Sequence, residues 1–438
     1  MIRKLLPGLL AMVLAALVLH SPQKVYAGDA VSTLPVLSVA EVVARTLENH
    51  PALSAAGYES AALEHEVRQA GVRPNPELSL ELENFGGSGE FSGTDRAEAT
   101  LRLNQKLELG DKRSARRDMA RSEQELGLRE KELVRIEVAS EAVARFIDLV
   151  AAQQREAIAH DQVALNKDLL SAVEERIAAG KSASIEKKRF STRLAEARLK
   201  LRRVQREVSA ARQVLALSWQ GDRSDFIAAK DEFLRVAEIP ERSSLLADLE
   251  NSPAVQRAKG VRLRADQELR LARAEGVVDP TLSLGVKRDE DADDHALVVE
   301  ISVPLPLFDR NRGAIAAARS RLDKAREQKS AARLDLQRQV VRGWSELDSA
   351  YDEVVSLRDE VIPAAEETFE GIRYGYQAGK FGLLDVLDAE QSLFAAKSLQ
   401  VDALSAYHRA VLELERLLGH KVLKTVHYLN FSKHEDKQ

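Results

Sequence analysis

Between Glu77 and Glu83 polar and apolar residues take turns. Leu78, Leu80 and Leu82 fall on one side of an extended chain, and Ser79, Glu81 and Glu83 on the other. A glycine-rich stretch, 86–93, follows. A second alternation, from Arg96 to Glu108, sets Ala97, Ala99, Leu101, Leu103 and Leu107 against Arg102, Asn104, Lys106 and Glu108. Two such runs around a loop predict a β-hairpin at about 77–108. The period then changes. From Asp111 to Ile177 there is no proline, and Gly127 is the only glycine. Met119, Leu126 and Leu133 recur every seven residues, Ile136, Val143 and Val150 continue in a companion register, and Val163, Leu170 and Ile177 resume the step. That is a coiled-coil pattern. It predicts a helix over about 111–178, a turn at Gly180 and a return helix over about 185–218. At ~1.5 Å per residue, a helix of roughly 65 residues reaches ~100 Å.

The plan then repeats. Asn251-Ser-Pro253-Ala-Val255 echoes Asn49-His-Pro51-Ala-Leu53, at a shift of 202. Pro280 to Leu284 echoes Pro76 to Leu80 at 204, Leu305 to Arg310 echoes Leu107 to Lys112 at 198, and Ala378-Gly379-Lys380 echoes Ala179-Gly180-Lys181 at 199. The chain therefore reads as an internal duplication: a first repeat over 28–245 and a second over 246–425, with a tail at 426–438. Each repeat is helix, hairpin, long helix, turn, helix. The second hairpin spans about 280–305, and its long helices about 311–377 and 383–418. Short helices over Val39 to Asn49 and from Pro51 to about Val72 open the first repeat.

A sheet with one leucine-rich face and open edges leaves backbone groups unpaired in a membrane, and closure is the remedy. Each chain supplies four strands, so three copies close a 12-stranded barrel with a water-filled lumen. The apolar faces would then meet lipid. The helix lengths fit the same picture, because the shorter helices stacked end to end nearly match the single long one. The fold class expected is mainly α with a β-barrel: four long coiled-coil helices and two hairpins per protomer, and an α-helical tunnel continuous with a trimeric barrel. A small soluble β-layer packed on helices would show the same alternation.

Composition narrows the function. Residues 1–27 read as a secretory signal peptide, with Arg3 and Lys4 ahead of an apolar run, Leu9 to Leu19, and a cleavage site at Val25-Tyr26-Ala27 with small residues at its outer positions. Its removal takes away Arg3, Lys4 and Lys24 and moves the formal charge from -5 to -8. This charge argues against a nucleic-acid partner. The chain has no cysteine, which excludes disulfides, thiolate metal sites and a lipid anchor on cysteine. No HExxH or P-loop motif is present and the nine histidines are scattered, so no catalytic residue, cofactor site or metal site is assigned. His420, His427 and His434, with Glu435 and Asp436, read as a polar tail, and Asp289 to His295 as a solvated acidic loop.

The stretch from Gly375 to Asp388 is the candidate site. Gly379 and Gly382 supply a turn, and Asp385 and Asp388 follow three apart on one face of the outgoing helix. They read either as helix-cap carboxylates or as part of a carboxylate ring at a pore mouth. Tyr376 and Lys380 lie beside them.

The duplication, the signal peptide, the hairpins and the Gly-…-Asp-Val-Leu-Asp-Ala stretch resemble the TolC family of outer-membrane efflux channels over nearly the whole mature chain. Asn75 to Leu80, Glu83 to Gly89 and Val303 to Asp309 resemble its CzcC-like heavy-metal resistance branch. The resemblance implies a homotrimer in the outer membrane with a large periplasmic part. It also implies a periplasmic adaptor (a membrane fusion protein) and an inner-membrane RND pump driven by the proton gradient. The function expected is the channel component of such a tripartite system, exporting cations of the cobalt, zinc and cadmium class, and not an enzyme. The same architecture serves multidrug efflux or type I secretion, and a soluble periplasmic coiled-coil scaffold is the reading of a different class. Family members often carry an arginine after the turn glycine, where this chain has Lys380 and Phe381.

The repeats differ where a gate would move. Pro363, Gly371 and Gly375 stand opposite Ala164, Ala172 and Arg176 at the shift of 199. Proline and glycine weaken helices by ~3 and ~1 kcal/mol. Pro363, Gly371, Gly375, Gly379 and Gly382 are therefore the expected hinge of a second helical pair that swings while the first stays fixed.

Overall fold

The computed structural model describes residues 34–222, 225–230 and 233–423. The candidate signal peptide, and His427, His434, Glu435 and Asp436 of the tail, lie outside the described residues. After a short strand β1 (Val36–Leu37), helix α1 (Val39–Asn49) starts at Ser38, whose hydroxyl and backbone are both engaged by Glu41. Pro51 opens α2 (Pro51–Ala70), since a first-turn position loses nothing by lacking an N–H. Strands β2 (Glu77–Glu83) and β3 (Glu98–Lys106) form the first hairpin. The heptad run is one helix of 67 residues, α3 (Lys112–Ala178), which returns as α4 (Ser184–Ala216). Strand β4 (Ala228–Ala229) lies in the linker that ends the first repeat, and a short helix α5 (Arg242–Ala247) leads into the second. Then come α6 (Pro253–Glu275), β5 (Thr281–Asp289), β6 (Asp294–Ser302), α7 (Arg312–Ser356), α8 (Ile362–Gln377) and α9 (Leu383–Leu418). α3 packs against α2 and α6, and against α4 and α9.

The two hairpins join into one antiparallel sheet of order β2-β3-β5-β6. Its pairing aligns whole apolar rows. Leu80 faces Leu101, Leu101 faces Val286, and Val286 faces Leu297; Leu78, Leu103, Leu284 and Val299 make the next row. These rows are exposed, Leu297 by 86%, while Thr100 and Ser283 on the opposite, polar face are 1% and 5% exposed. On that polar face Arg102 pairs with Glu81, Lys287 pairs with Glu98, and Asn104 donates to Ser79 at 3.0 Å. A sheet in a soluble protein has the opposite arrangement. None of the apolar clusters of the described residues contains a residue of these four strands, so no helix covers the leucines and the soluble-layer alternative does not hold.

The main core sits at the waist. There Leu37, Val42, Phe146, Ile147, Leu215, Phe226, Leu347, Leu404 and Tyr407 pack into one cluster. β1 pairs in parallel with β4, so the N-terminal segment and the linker at the end of the first repeat brace each other. Side chains from the long helices satisfy the linker's backbone. The Tyr407 hydroxyl accepts from the Ala237 N–H at 2.9 Å and donates to the Ala237 carbonyl at 3.0 Å. Trp344 donates to the Pro240 carbonyl, and Gln153 brackets both backbone groups of Ala229. Sequence periodicity assigned no element to this linker.

One long helix departs from its expected form. The run expected over about 311–377 is broken by a π-helical turn, Leu357–Val361, in which the Ile362 N–H bonds the Leu357 carbonyl five residues back. Pro363 follows at the second position of α8. A proline cannot donate, and its ring collides with the carbonyl four residues earlier, so the wider turn gives it room. α3, with Ala164 there, has no such break.

Candidate functional site

Both helical pairs end in the same turn. Gly180 and Gly379 adopt φ of +70° and +77°. In the first turn the Lys181 N–H bonds the Arg176 carbonyl and the Gly180 N–H bonds the Ile177 carbonyl. In the second the Lys380 N–H bonds the Gly375 carbonyl and the Gly379 N–H bonds the Tyr376 carbonyl. This is the double hydrogen-bonded helix stop that needs a left-handed residue. Gly375 has a separate reason to be glycine. A Cβ there would lie 2.2 Å from the Phe381 ring, which folds back over it. Gly371 has open space around it, and Gly382 sits 3.4 Å from the Asp385 carboxylate, measured from the position a Cβ would take.

The two turns are fastened to each other. Tyr376 is 3% exposed and its hydroxyl donates to Glu186 Oε2 at 3.0 Å. The Arg176 guanidinium stacks on the Tyr376 ring at 4.6 Å. It also donates to the backbone carbonyls of Tyr376 and Gln377, at 2.6 and 3.1 Å, and to Ser182 Oγ. Burial, then the hydrogen bond to Glu186, raises the phenol's pKa above its ordinary value. Beneath this polar clasp Leu169, Val173 and Phe190 of the first pair pack with Phe369, Leu383, Val386, Leu387 and Leu393 of the second. Arg176, Ser182, Glu186 and Phe381 are site residues that periodicity did not single out. The signal was in the repeat: at the shift of 199, Arg176 aligns with Gly375, and Glu186 with Asp385.

Asp385 and Asp388 are both exposed on the first turns of α9. Asp385 Oδ2 accepts the Gly382 N–H at 2.8 Å, so it caps its own helix. Lys380 is exposed, and its backbone N–H closes the turn. Deeper in, Glu390 is 4% exposed and accepts from Asn166 at 2.6 Å and Gln162 at 3.3 Å, across the α3–α9 contact. A polar groove of about 390 Å³ opens there between α3, α4 and α9.

The remaining candidates do not gather as a site. In the acidic loop, Arg288 pairs with Glu290 and Asp293, and Arg96 with Asp291. His420 Nε2 lies 2.9 Å from the Asp248 carboxylate. Among the described residues no cluster of three or more histidine, aspartate or glutamate side chains could hold a metal ion. Nor is any described helix long and apolar enough to cross a membrane, which says nothing of the sheet.

Comparison with known proteins agrees with this architecture. Residues 42–220 and 247–420 match the model of the family described as "Outer membrane efflux protein". The cobalt-zinc-cadmium resistance protein CzcC of Cupriavidus metallidurans is 32% identical over 84% of this chain and 86% of its own length. The nickel-cobalt-cadmium resistance protein NccC of Alcaligenes xylosoxydans is 26% identical over 63% and 64%. A crystal structure of CusC, reported with the conformational changes of transmembrane channel formation, superposes with a TM-score of 0.72 over 91% of this chain and 96% of that one, at 18% identity. With the family model matching both repeats and the fold shared end to end, the chain belongs to the outer membrane efflux protein family.

Proposed function

We propose that this chain is the outer-membrane channel of a tripartite efflux system, that it works as a homotrimer with a periplasmic adaptor and an inner-membrane RND pump, and that its cargo is divalent transition-metal cations of the cobalt, zinc and cadmium class. The inverted sheet supports the channel reading most directly. Among the described residues its apolar face has no cover and both its edges are open, which fits one third of a lipid-facing barrel. The cargo class rests on the names of the relatives CzcC and NccC. The helical hairpins would form the periplasmic tunnel, with the paired turns at its inner end. Three copies would bring Asp385 and Asp388 around one axis as six carboxylates, which favours cations without holding any tightly. A groove of about 860 Å³ between α3, α7 and α9 has the same bias, with Glu137, Glu141, Glu346, Glu353 and Glu413 against Arg409 and Arg416. Tyr376 and Lys380 belong to this gate, and Pro363, Gly371, Gly375, Gly379 and Gly382 to its hinge.

Deleting the gene and measuring tolerance to zinc, cadmium, cobalt, nickel, copper and a panel of drugs tests the cargo. Lost tolerance to one or more of the metals, restored by the intact gene, is the expected result. Sensitivity confined to drugs would replace the cargo class and leave the channel reading standing.

A further inference from the structure

At the waist α9 lies between α3 and α7, and the linker packs on one side of this layer. Trp344 of α7 donates to the Pro240 carbonyl, and Tyr407 and His408 of α9 bond the backbone of Ala237 and Phe233. The other side is bare. Between Asp402 and Arg416 the residues of α9 that are not buried are Asp402, Ser405, Ala406, Arg409, Glu413 and Arg416, one stripe at helical spacing. Glu137, Glu141 and Asp148 of α3, and Glu346, Ser349 and Glu353 of α7, are exposed at the same spacing. The groove of about 860 Å³ runs between these stripes. A tunnel closed by three copies has an inside and an outside. The linker, with α1 and α5, would fill the bore if it lay inside, so the bare side is the inner one.

We propose, on the homotrimer reading above, that this groove is a resting site in the tunnel wall for a hydrated divalent cation, one per copy. Three features carry it. The first is which charges are already used. Arg416 bonds both Glu413 and Glu137, at 2.7 and 3.2 Å. Glu141 pairs with Arg145, and Arg409 turns away to Asp148. Glu346 and Glu353, two helical turns apart on the groove's α7 wall, have no cationic partner among the described residues. The second is Ser140 on the groove's floor. It is 5% exposed, and its hydroxyl has no hydrogen-bond partner among the described residues. A buried hydroxyl ordinarily finds one, and on a helix the carbonyl one turn back is at hand. Ser140 does not take it, which leaves an acceptor for a water in an ion's shell. The third is room. Ala144, Ser349, Ala350, Ala406 and Ala410 keep the groove open with small side chains. A shell of about six waters at ~30 Å³ each fits within it several times over.

The site has a consequence for selectivity. Two glutamates about 10 Å apart along a helix hold an ion through its waters, not by direct bonds, so they read charge and not the identity of the metal. Magnesium and calcium would rest there as readily as cobalt or zinc. Sorting of the cargo would then fall to a step before the tunnel. Holding of this kind is weak, which suits a station that ions must leave.

The chain has no cysteine, so one thiol placed in the groove reports on it alone. Ala406→Cys is made in the full-length protein, and its modification by a trimethylammonium and a sulfonate methanethiosulfonate is timed, each rate divided by that of a free thiol. The cationic reagent is expected to react about tenfold or more faster than the anionic one. Magnesium chloride at about millimolar concentration should slow the cationic reagent, and potassium chloride of equal ionic strength should not. Adding Glu346→Gln with Glu353→Gln should cut the preference to about threefold or less and abolish the magnesium effect. Glu346→Asp with Glu353→Asp keeps the charges and should keep both. In planar bilayers the cationic reagent should lower the potassium current, which a thiol on the outer surface would not do. Light scattering in detergent is done on every variant. A trimer in which the glutamine pair changes neither the preference nor the magnesium effect overturns the site. A modified thiol with unchanged current overturns its place in the tunnel. Both results leave the channel and its cargo standing, whereas a folded protein that is not a trimer overturns the assembly on which the site rests.

Discussion

Single residues carry the joints of this molecule. Asp279 sits where the hairpins meet the helices, with its side chain 6% exposed. It accepts from the Lys112 ammonium at 2.6 Å and the Leu109 N–H at 3.0 Å, and lies 3.3 Å from the Lys106 ammonium. Burial pushes its carboxyl up, but Lys112, the Leu109 N–H and Lys106 outweigh this and hold it below the usual range. A depressed carboxylate contributes stability above its unfolded pKa and loses it as pH falls through the folded one. Asp279→Ala strands the buried Lys112 ammonium and is expected to cost about 3 kcal/mol, read as a lower melting temperature in detergent at pH 7. At a pH below the folded pKa the two proteins should melt alike, and a gap that persists there would show that charge is not the cause. Tyr376 makes the opposite case. Its raised pKa means that the neutral phenol, the form that donates to Glu186, persists through neutral pH and is lost as pH rises past the ordinary value and through the folded one. Tyr376→Phe removes that donor. It is expected to shift the gate toward open by about 1.5 kcal/mol, roughly tenfold, as more frequent openings in planar bilayers. Wild-type protein should approach the same behaviour in alkaline buffer, and a variant as quiet as wild type would remove the clasp from the gate.

At the scale of elements, the strands and long helices were legible because each follows one period over many residues. Leu78, Leu80 and Leu82 alternate and share a face, and the seven-residue steps from Met119 to Ile177 run within α3. The waist was not legible. Its core forms between segments far apart in sequence, such as Leu37, Phe226 and Tyr407, and no local period marks it. The turn between Leu357 and Val361 lies between these cases. Pro363 announces a weak point, but the break itself is a five-residue hydrogen bond placed ahead of the proline. The clasp adds a condition to the expected asymmetry of the gate. The second pair holds the π-helical turn, yet Arg176 and Glu186 of the first pair grip its end, so the proposed swing would have to break that grip. Pro363→Ala removes the ring that requires the wider turn. Amide exchange over 357–363 is expected to slow by about tenfold, in keeping with the ~3 kcal/mol of helix propensity regained only in part. Unchanged exchange would mean that packing around Leu357, not Pro363, sets the turn.

At the scale of the whole molecule, the proposed gate depends on how charges from separate copies add. Within one chain Asp385 is a helix cap, since Gly382 leaves its N–H to the carboxylate and has no side chain to return the bond. Its counterpart Glu186 is engaged by Tyr376, while Asp385 and Asp388 remain exposed. Only assembly would make them a ring, and the two roles separate under substitution. Asparagine keeps an acceptor for the Gly382 N–H, so Asp385→Asn with Asp388→Asn should fold, with a stability change within about 1 kcal/mol, the size of a helix-dipole contribution. A ring of carboxylates, by contrast, loses its whole charge. Bilayer recordings under a salt gradient are expected to show the reversal potential moving toward zero, and block by multivalent cations weakening by about tenfold or more, since the attraction of a charged ring grows with the valence of the ion. Single substitutions should give intermediate values if the two positions act on one axis. A double variant with unchanged selectivity and block, together with a lowered melting temperature, would return both residues to capping alone and place any cation preference elsewhere along the channel.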